Sequence, residues 1–231
     1  MPDNSCEIRV CESCGLRYPL VRSHPFGTRC PACLGDTRIV LSRQLDTEPD
    51  ADAHGPGGKN AMPAASQVGL KEERGKNLAV LLDNIRSAWN VGSILRSADG
   101  FGFTHAYLCG ITPTADNEAV TKTSLGAEQA VPWSYHKDTV RLVKGLKAEG
   151  WKVYALEEDP RSLPISQFTE SRFPDLAVLI VGNEVTGVDP ELLNLSDRIL
   201  YIPMLGAKRS FNVAIAFGIA AYALLAQRSG T

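Results

Sequence analysis

At 231 residues, with 44% hydrophobic and 22% charged side chains, the chain has ordinary globular composition and room for one sizeable core plus a small appendage. A net charge of −2 supplies no global attraction for nucleic acid, so any RNA or DNA contact has to come from local basic patches. No unbroken apolar run reaches the ~18–20 residues of a membrane span. The start, Met1-Pro2-Asp3-Asn4-Ser5-Cys6, has neither the basic head nor the apolar core of a secretory signal, so a cytoplasmic protein without membrane partners is expected.

Residues 1–41 carry Cys11-x2-Cys14 and Cys30-x2-Cys33, separated by fifteen residues. Two such knuckles supply four thiolates to one tetrahedral zinc, and a segment this small has too little core to fold without a staple. Four cysteines leave no open coordination position, so the zinc is expected to be structural. Cys6 and His24 are spare. Arg9, Arg17, Arg22, Arg29 and Arg38, interleaved with Tyr18 and Phe26, fit either contact with RNA or a solvated surface. Residues 42–76, rich in Asp, Glu, Pro, Gly, Ala and Lys, read as a disordered linker that would let the ribbon sample positions around the rest of the chain.

From residue 77 to 231 short apolar runs alternate with helical stretches. Strands are predicted at Leu78–Leu82, Ala106–Cys109, Ala130–Tyr135, Lys152–Leu156, Ala177–Val181 and Ile199–Ile202. Helices are predicted at Val91–Gly100, Asn117–Leu125, Asp138–Glu149, Pro190–Leu193 and Phe211–Gln227. The alternation argues an α/β domain with a mostly parallel sheet, and ligands beyond the carboxyl ends of its strands.

Three of those strand exits carry polar groups. After the first strand, Asn90 is placed to cap a helix, Gly92 allows a close approach, and Arg96 projects from a face away from the Val91, Ile94, Leu95 and Ala98 stripe. Arg96 has a structural reading, as an ion-pair partner of Asp99 or Asp83. After Val181, Gly182 and Gly187 frame Glu184, a carboxylate that could orient a cation such as Arg96. At the third exit, Lys208, Arg209, Ser210 and Asn212 crowd the head of a helix that is apolar on every side and so expected to be buried all round. Ser210 is placed to cap it, with Asn212 inside its first turn. No G-x-G-x-x-G or G-x-x-x-x-G-K-[ST] follows the first strand, which disfavours an ordinary nucleotide-binding sheet.

In order, Asn90-x-Gly92-x3-Arg96, Gly182-Asn183-Glu184-x2-Gly187 and Ile202-Pro203-Met204-x-Gly206-x3-Ser210-Phe211-Asn212-Val213 resemble the three motifs of the SpoU (TrmH-like) branch of the SPOUT RNA methyltransferases. Lys122-Thr123-Ser124-Leu125-Gly126-Ala127 resembles a secondary family segment. The resemblance covers residues 77–228 and implies methylation of a ribose 2′-hydroxyl in tRNA or rRNA by S-adenosylmethionine. It also implies a homodimer and a C-terminal trefoil knot, an exception to the rule against knots. Catalytic positions would be Asn90, Arg96, Glu184, Ser210 and Asn212, and cofactor contacts Leu156, Gly182, Ile202, Met204 and Phe211. Phe211 stands where leucine is usual, and Ala214 where a second hydroxyl residue is common. The family role of general base would fall to Arg96, but an arginine with a pKa above ~12 is better suited to clamping a phosphate and polarising the hydroxyl. The competing reading is a non-catalytic RNA-binding or assembly factor.

Overall fold

The run Leu78-Ala79-Val80-Leu81-Leu82 forms β4 (Asn77–Asp83), and all five side chains are buried, without the polar alternation of a half-exposed strand. A strand buries both faces only where helices cover its sheet on either side. The computed structural model, which describes residues 5–21, 28–45, 77–169 and 174–228, has that arrangement. With β4, the strands β5 (His105–Cys109), β6 (Trp133–His136), β7 (Lys152–Leu156), β8 (Leu163–Pro164), β9 (Leu176–Val181) and β10 (Arg198–Tyr201) form one sheet in the order β6-β5-β4-β9-β7-β10-β8. Every pairing in it is parallel. Leu78, Val80 and Leu82 enter a core shared with α1 (Ala88–Gly100) and α6 (Val213–Arg228). Ala79 and Leu81 enter a second core shared with α4 (Thr139–Ala148) and α5 (Pro190–Leu195). Each fully buried leucine contributes roughly 1.5–3 kcal/mol, so the register that splits the two cores is strongly fixed.

Local chemistry moves several predicted boundaries. The first helix starts at Ala88 because Ser87, not Asn90, is its N-cap: the Asn90 N–H donates to Ser87 Oγ at 3.4 Å. The stretch Asn117–Leu125 gives α2 (Glu118–Ser124), and left-handed backbone at Leu125 and Gly126 (φ 52° and 95°) separates it from α3 (Ala127–Ala130). That turn delays the next strand to Trp133. Gly92 serves helix packing, since a Cβ there would run into Thr123 and the Val120 carbonyl of α2.

The C-terminal helix corrects a second expectation. Phe217, Ala220, Ala221 and Leu224 are buried, Phe217 meeting Phe103 edge-on at 5.1 Å. Ile215, Ile219 and Tyr222 are instead 56%, 37% and 68% exposed. The helix is apolar all round, but one chain covers one side of it. No described helix is long and apolar enough to cross a membrane.

At the N-terminus, β1 (Ser5–Cys11), β2 (Arg17–Val21) and β3 (Thr37–Gln44) form an antiparallel sheet of order β2-β1-β3, so the ribbon runs past the predicted boundary at residue 41. The rest of the predicted linker, residues 46–76, lies outside the described residues, as do Arg22, His24 and Phe26. The ribbon is not free to sample positions. Arg17 donates from Nε and Nη2 to Asp189 at 2.7 and 3.1 Å, its backbone N–H donates to the Lys137 carbonyl, and Ile111 packs on the small core of Cys11, Leu16, Tyr18 and Cys30. Arg9 and Arg17 are buried, Arg9 against Glu7 and Thr37, so neither is a solvated charge or a contact for RNA.

Candidate active site

The three polar strand exits lie at the carboxyl ends of β4, β9 and β10, and hydrogen bonds tie them together. Beyond β4 the chain turns at Asn84, whose left-handed backbone (φ 58°) suits asparagine better than most residues. Asn84 Oδ1 accepts the Ile111 N–H, and its Nδ2 donates to Asp83. Beyond β9, Asn183 folds a tight turn by accepting the Val185 and Thr186 N–H groups, and its Nδ2 donates to the Asn84 carbonyl at 2.6 Å. The β9 turn is thereby fastened to the β4 exit.

Glu184 stands on that turn facing the start of α1. Its carboxylate accepts the Arg86 N–H at 2.9 Å, the Ser87 N–H at 3.1 Å and Asn90 Nδ2 at 2.9 Å. Asn90 Oδ1 accepts Asn212 Nδ2 at 3.1 Å, and Asn212 Oδ1 accepts the Ala214 N–H at 3.0 Å. One chain of bonds, Glu184 to Asn90 to Asn212, therefore joins all three exits. Asn212 is the N-cap of α6 rather than a residue inside its first turn, and Ser210 lies exposed ahead of it. Burial pushes the Glu184 carboxyl up, but the Arg86 N–H, the Asn90 amide and the Ser87 N–H outweigh it and hold the group below its ordinary value. With a depressed folded value, its contribution to stability is complete above pH 4.5 and is lost as pH falls below that. Glu184 is ionised throughout the neutral range.

Arg96 does not join this group. It projects from α1 into solvent and makes no ion pair or hydrogen bond among the described residues. Neither the expected pairing with Glu184 nor the structural pairing with Asp99 or Asp83 is formed, because Glu184 is held by α1 and Asp83 by Thr139, Asn84 and the Asp189 N–H. The guanidinium stays available to a ligand.

The cofactor candidates divide into two groups. Leu156 pairs in register with Val181 and Leu200, so Leu156, Gly182 and Ile202 lie at the carboxyl ends of three adjacent strands, Gly182 one residue and Ile202 two residues beyond the level of Leu156. Met204 and Phe211 lie on the loop between β10 and α6. Arg209 apart, residues 202–211 make no hydrogen bond, ion pair or ring contact among the described residues, which leaves a row of backbone N–H and C=O groups free. The glycines of the β9 turn are required by the protein itself: a Cβ on Gly182 would meet the backbone of Gly187 and Val188, and one on Gly187 would meet Glu157. Glu157 gave no sequence signal; its carboxylate accepts the Val188 N–H at 2.8 Å, and burial pushes it above the ordinary range.

In the ribbon, the sulfurs of Cys11, Cys14, Cys30 and Cys33 all lie within 4.8 Å of one another. Cys11 and Cys33 are 3.5 Å apart and Cys14 and Cys30 3.7 Å. Tetrahedral zinc with ~2.3 Å bonds sets its sulfurs about 3.8 Å apart, so the cluster fits the ion. The Cys14 N–H donates to Cys11 Sγ at 3.4 Å, a bond that favours the thiolate form of that sulfur. Cys6 is buried outside the cluster.

The Asn90 amide donates to Glu184 through the one group that a substitution to Asp removes. Asn90→Asp sets two carboxylates face to face, and we expect the Glu184 titration, followed by carboxyl carbon NMR, to move upward from its wild-type value. An unchanged titration would show that this bond does not form in solution.

Comparison with known proteins bears on the whole of this domain. The SpoU rRNA Methylase family model matches residues 77–222, from β4 into α6. The tRNA (guanosine(18)-2′-O)-methyltransferase of Thermus thermophilus is 33% identical over 157 residues, covering 67% of this chain and 77% of that protein. The 23S rRNA (guanosine(2553)-2′-O)-methyltransferase RlmP of Bacillus subtilis is 35% identical over 147 residues, covering 63% and 56%. Among solved structures, the SpoU methyltransferase AviRb of Streptomyces viridochromogenes in complex with AdoMet superposes with a TM-score of 0.61 at 25% identity, covering 69% of this chain and 64% of that one. A parallel sheet with its polar exits bonded to one another, matched along its length by one family model, makes this chain a member of the SpoU rRNA methylase family.

Proposed function

We propose that this chain transfers a methyl group from S-adenosylmethionine to a ribose 2′-hydroxyl in structured RNA, a tRNA or an rRNA. The observation that carries the reading is the Glu184–Asn90–Asn212 chain, which links the three motif-bearing strand exits. S-adenosylmethionine would supply an electrophilic methyl carbon on a sulfonium, which leaves as the neutral thioether while the hydroxyl proton passes to water, so what is left to the protein is alignment and polarisation of the hydroxyl. Leu156, Gly182, Ile202, Met204 and Phe211 would hold it, mostly through backbone; the register of the three strand ends and the unbonded backbone of residues 202–208 support that assignment. Asn212 and Asn90 fix the entrance of α6 relative to α1, and Glu184 stays ionised to hold the Asn90 amide. The free guanidinium of Arg96 clamps a substrate phosphate and polarises the hydroxyl, with Ser210 as a further polar contact. A C-terminal knot is part of this reading, supported by β10 lying between β7 and β8, strands that residues 157–162 join directly.

The test is mapping of 2′-O-methyl sites in RNA from cells with and without the protein, together with methyl transfer in vitro from labelled S-adenosylmethionine. We expect at least one ribose to lose its methyl group when the protein is absent, and Arg96→Lys to lower turnover about 100-fold or more, because lysine keeps the charge but not the planar fork. RNA binding without methyl transfer would replace the enzyme by a non-catalytic RNA-binding factor, and near-full activity of Arg96→Lys would remove the clamp.

Structural zinc in the ribbon belongs to the same reading. Elemental analysis is expected to give one zinc per chain and Cys14→Ser close to none; a metal-free wild-type protein would leave the cluster as four thiols.

A homodimer completes it, with the exposed Ile215, Ile219 and Tyr222 face of α6 and the 63% exposed Trp89 of α1 covered by a second copy. Ile219→Asp buries a charge in that contact and is expected to yield monomers by light scattering. A wild-type monomer at micromolar concentration would reject the dimer.

A further inference from the structure

Asp83 and Asp189 form a buried acidic pair directly behind the motif-bearing loops. Asp83 Oδ2 accepts the Asp189 N–H at 3.1 Å, and both side chains are nearly inaccessible to water. The other ionisable groups facing the pair are the carboxylates Glu191 of α5 and Asp138 ahead of α4, and two thiols that burial keeps protonated, Cys109 at the end of β5 and Cys6 of β1, the latter beside Arg43 of β3. Lys144 reaches Glu191 only at the solvent edge. Burial first, and the Asp189 charge second, push Asp83 up to about 6. The balancing cation comes from the other end of the chain. Arg17 of the ribbon reaches both oxygens of Asp189, at 2.7 and 3.1 Å, and lies 3.4 Å from Glu191.

From Asp189 a line of hydrogen bonds leads into the site. Asp189 is fixed to Asp83, Asp83 to the Asn84 amide, and the Asn84 carbonyl to Asn183, whose side chain shapes the turn that carries Glu184. A charge left unpaired at this depth is strongly unfavourable, and the loops can relieve it by moving or by taking up a proton.

We propose that Arg17 is a positioning residue for methyl transfer: by chelating Asp189 it holds the Asn84–Ser87 loop and the Asn183–Val188 turn in the geometry that presents Glu184 to Asn90, so the ribbon is a structural part of the catalytic domain. The proposal rests on the methyltransferase reading above for its kinetic consequences and on the hydrogen bonds alone for its structural ones.

The experiment uses the full zinc-loaded chain and compares wild type, Arg17→Ala, Arg17→Lys and the double variant Arg17→Ala with Asp189→Asn. Readouts are kcat and KM for RNA, the pH profile from 6 to 9, and amide exchange at residues 84–87 and 183–188. Arg17→Ala is expected to lose kcat about tenfold or more with KM for RNA within about twofold. The loss deepens as pH rises, because a proton on the acidic pair substitutes for the missing cation at low pH and is gone at high pH. Exchange at both loops accelerates. The double variant, which removes the charge along with its partner, recovers kcat to within about threefold. Where Arg17→Ala fails to fold, Arg17→Lys decides: one ammonium cannot span both oxygens of Asp189, so kcat falls and both loops exchange faster. Wild-type kcat, pH profile and loop exchange in Arg17→Ala, or in Arg17→Lys if only that variant folds, would overturn the proposal, as would a double variant no better than the single. A wild-type protein that methylates no RNA sinks the methyltransferase reading, while the exchange comparison still decides the role of Arg17.

Discussion

The candidate site depends on one carboxylate being fully occupied by donors from another element. Glu184 leaves β9 on a tight turn that Asn183 and Gly187 close by exchanging backbone bonds, and it meets two backbone N–H groups and one side-chain amide at the entrance to α1. Charge-assisted bonds of this kind are roughly twice as strong as neutral ones, and the positive end of a helix adds to them. Because Asn90 spends its amide on Glu184, its carbonyl oxygen is left to receive Asn212, and the third exit is fixed through the second donor in the line. Removing Glu184 would release the entrance of α1 from the β9 turn at three donors at once, while the Asn183–Asn84 and Asn212–Asn90 bonds remain.

Glycine and asparagine make that closeness possible. Gly182 and Gly187 are packed against backbone and against Glu157, so their reason is internal to the turn. Asn84 and Asn183 act as side-chain extensions of the backbone, each satisfying N–H groups that the end of a strand leaves unpaired. Free backbone groups are thus removed at the β4 and β9 exits and retained at the β10 exit, residues 202–208. Among the described residues, that loop keeps a run of backbone groups unbonded, which is where a flat heterocyclic ligand recognised by backbone would find partners.

Much of this was legible in the chain. Continuous apolar runs such as Leu78–Leu82 announce a doubly covered parallel sheet, and three ordered motifs at strand exits announce a composite site. What the motifs could not show is which polar groups answer each other. Asn90 looks like a cap and Arg96 like the partner of Glu184, yet Ser87 caps the helix and Asn90 takes the carboxylate, because the turn at Asn84 brings the backbone of Arg86 and Ser87 to Glu184 first. Arg17 reads from the sequence as a contact for RNA or a solvated charge because its partner lies 172 positions away, and no local pattern encodes a contact of that range. The uniformly apolar C-terminal helix reads as buried all round because periodicity reports polarity, not which molecule covers a face.

That exposed face also limits what one chain can do. Ile215, Ile219 and Tyr222 are worth roughly 1.5–3 kcal/mol each if fully buried, and each is already partly covered, so together they supply well under about 9 kcal/mol. Association costs an estimated 4–15 kcal/mol, so these three side chains alone are marginal for a lasting contact between copies. Trp89 and Phe211, 63% and 39% exposed, are the aromatic groups near the entrances of α1 and α6 that can make up the difference. Both stand beside residues of the Glu184–Asn90–Asn212 chain in sequence, Trp89 next to Asn90 and Phe211 next to Asn212. In the proposed dimer, a second copy covering these two aromatic groups would press on the immediate neighbours of Asn90 and Asn212, so a substitution at Trp89 or Phe211 would act on the contact and on the hydrogen-bonded chain together.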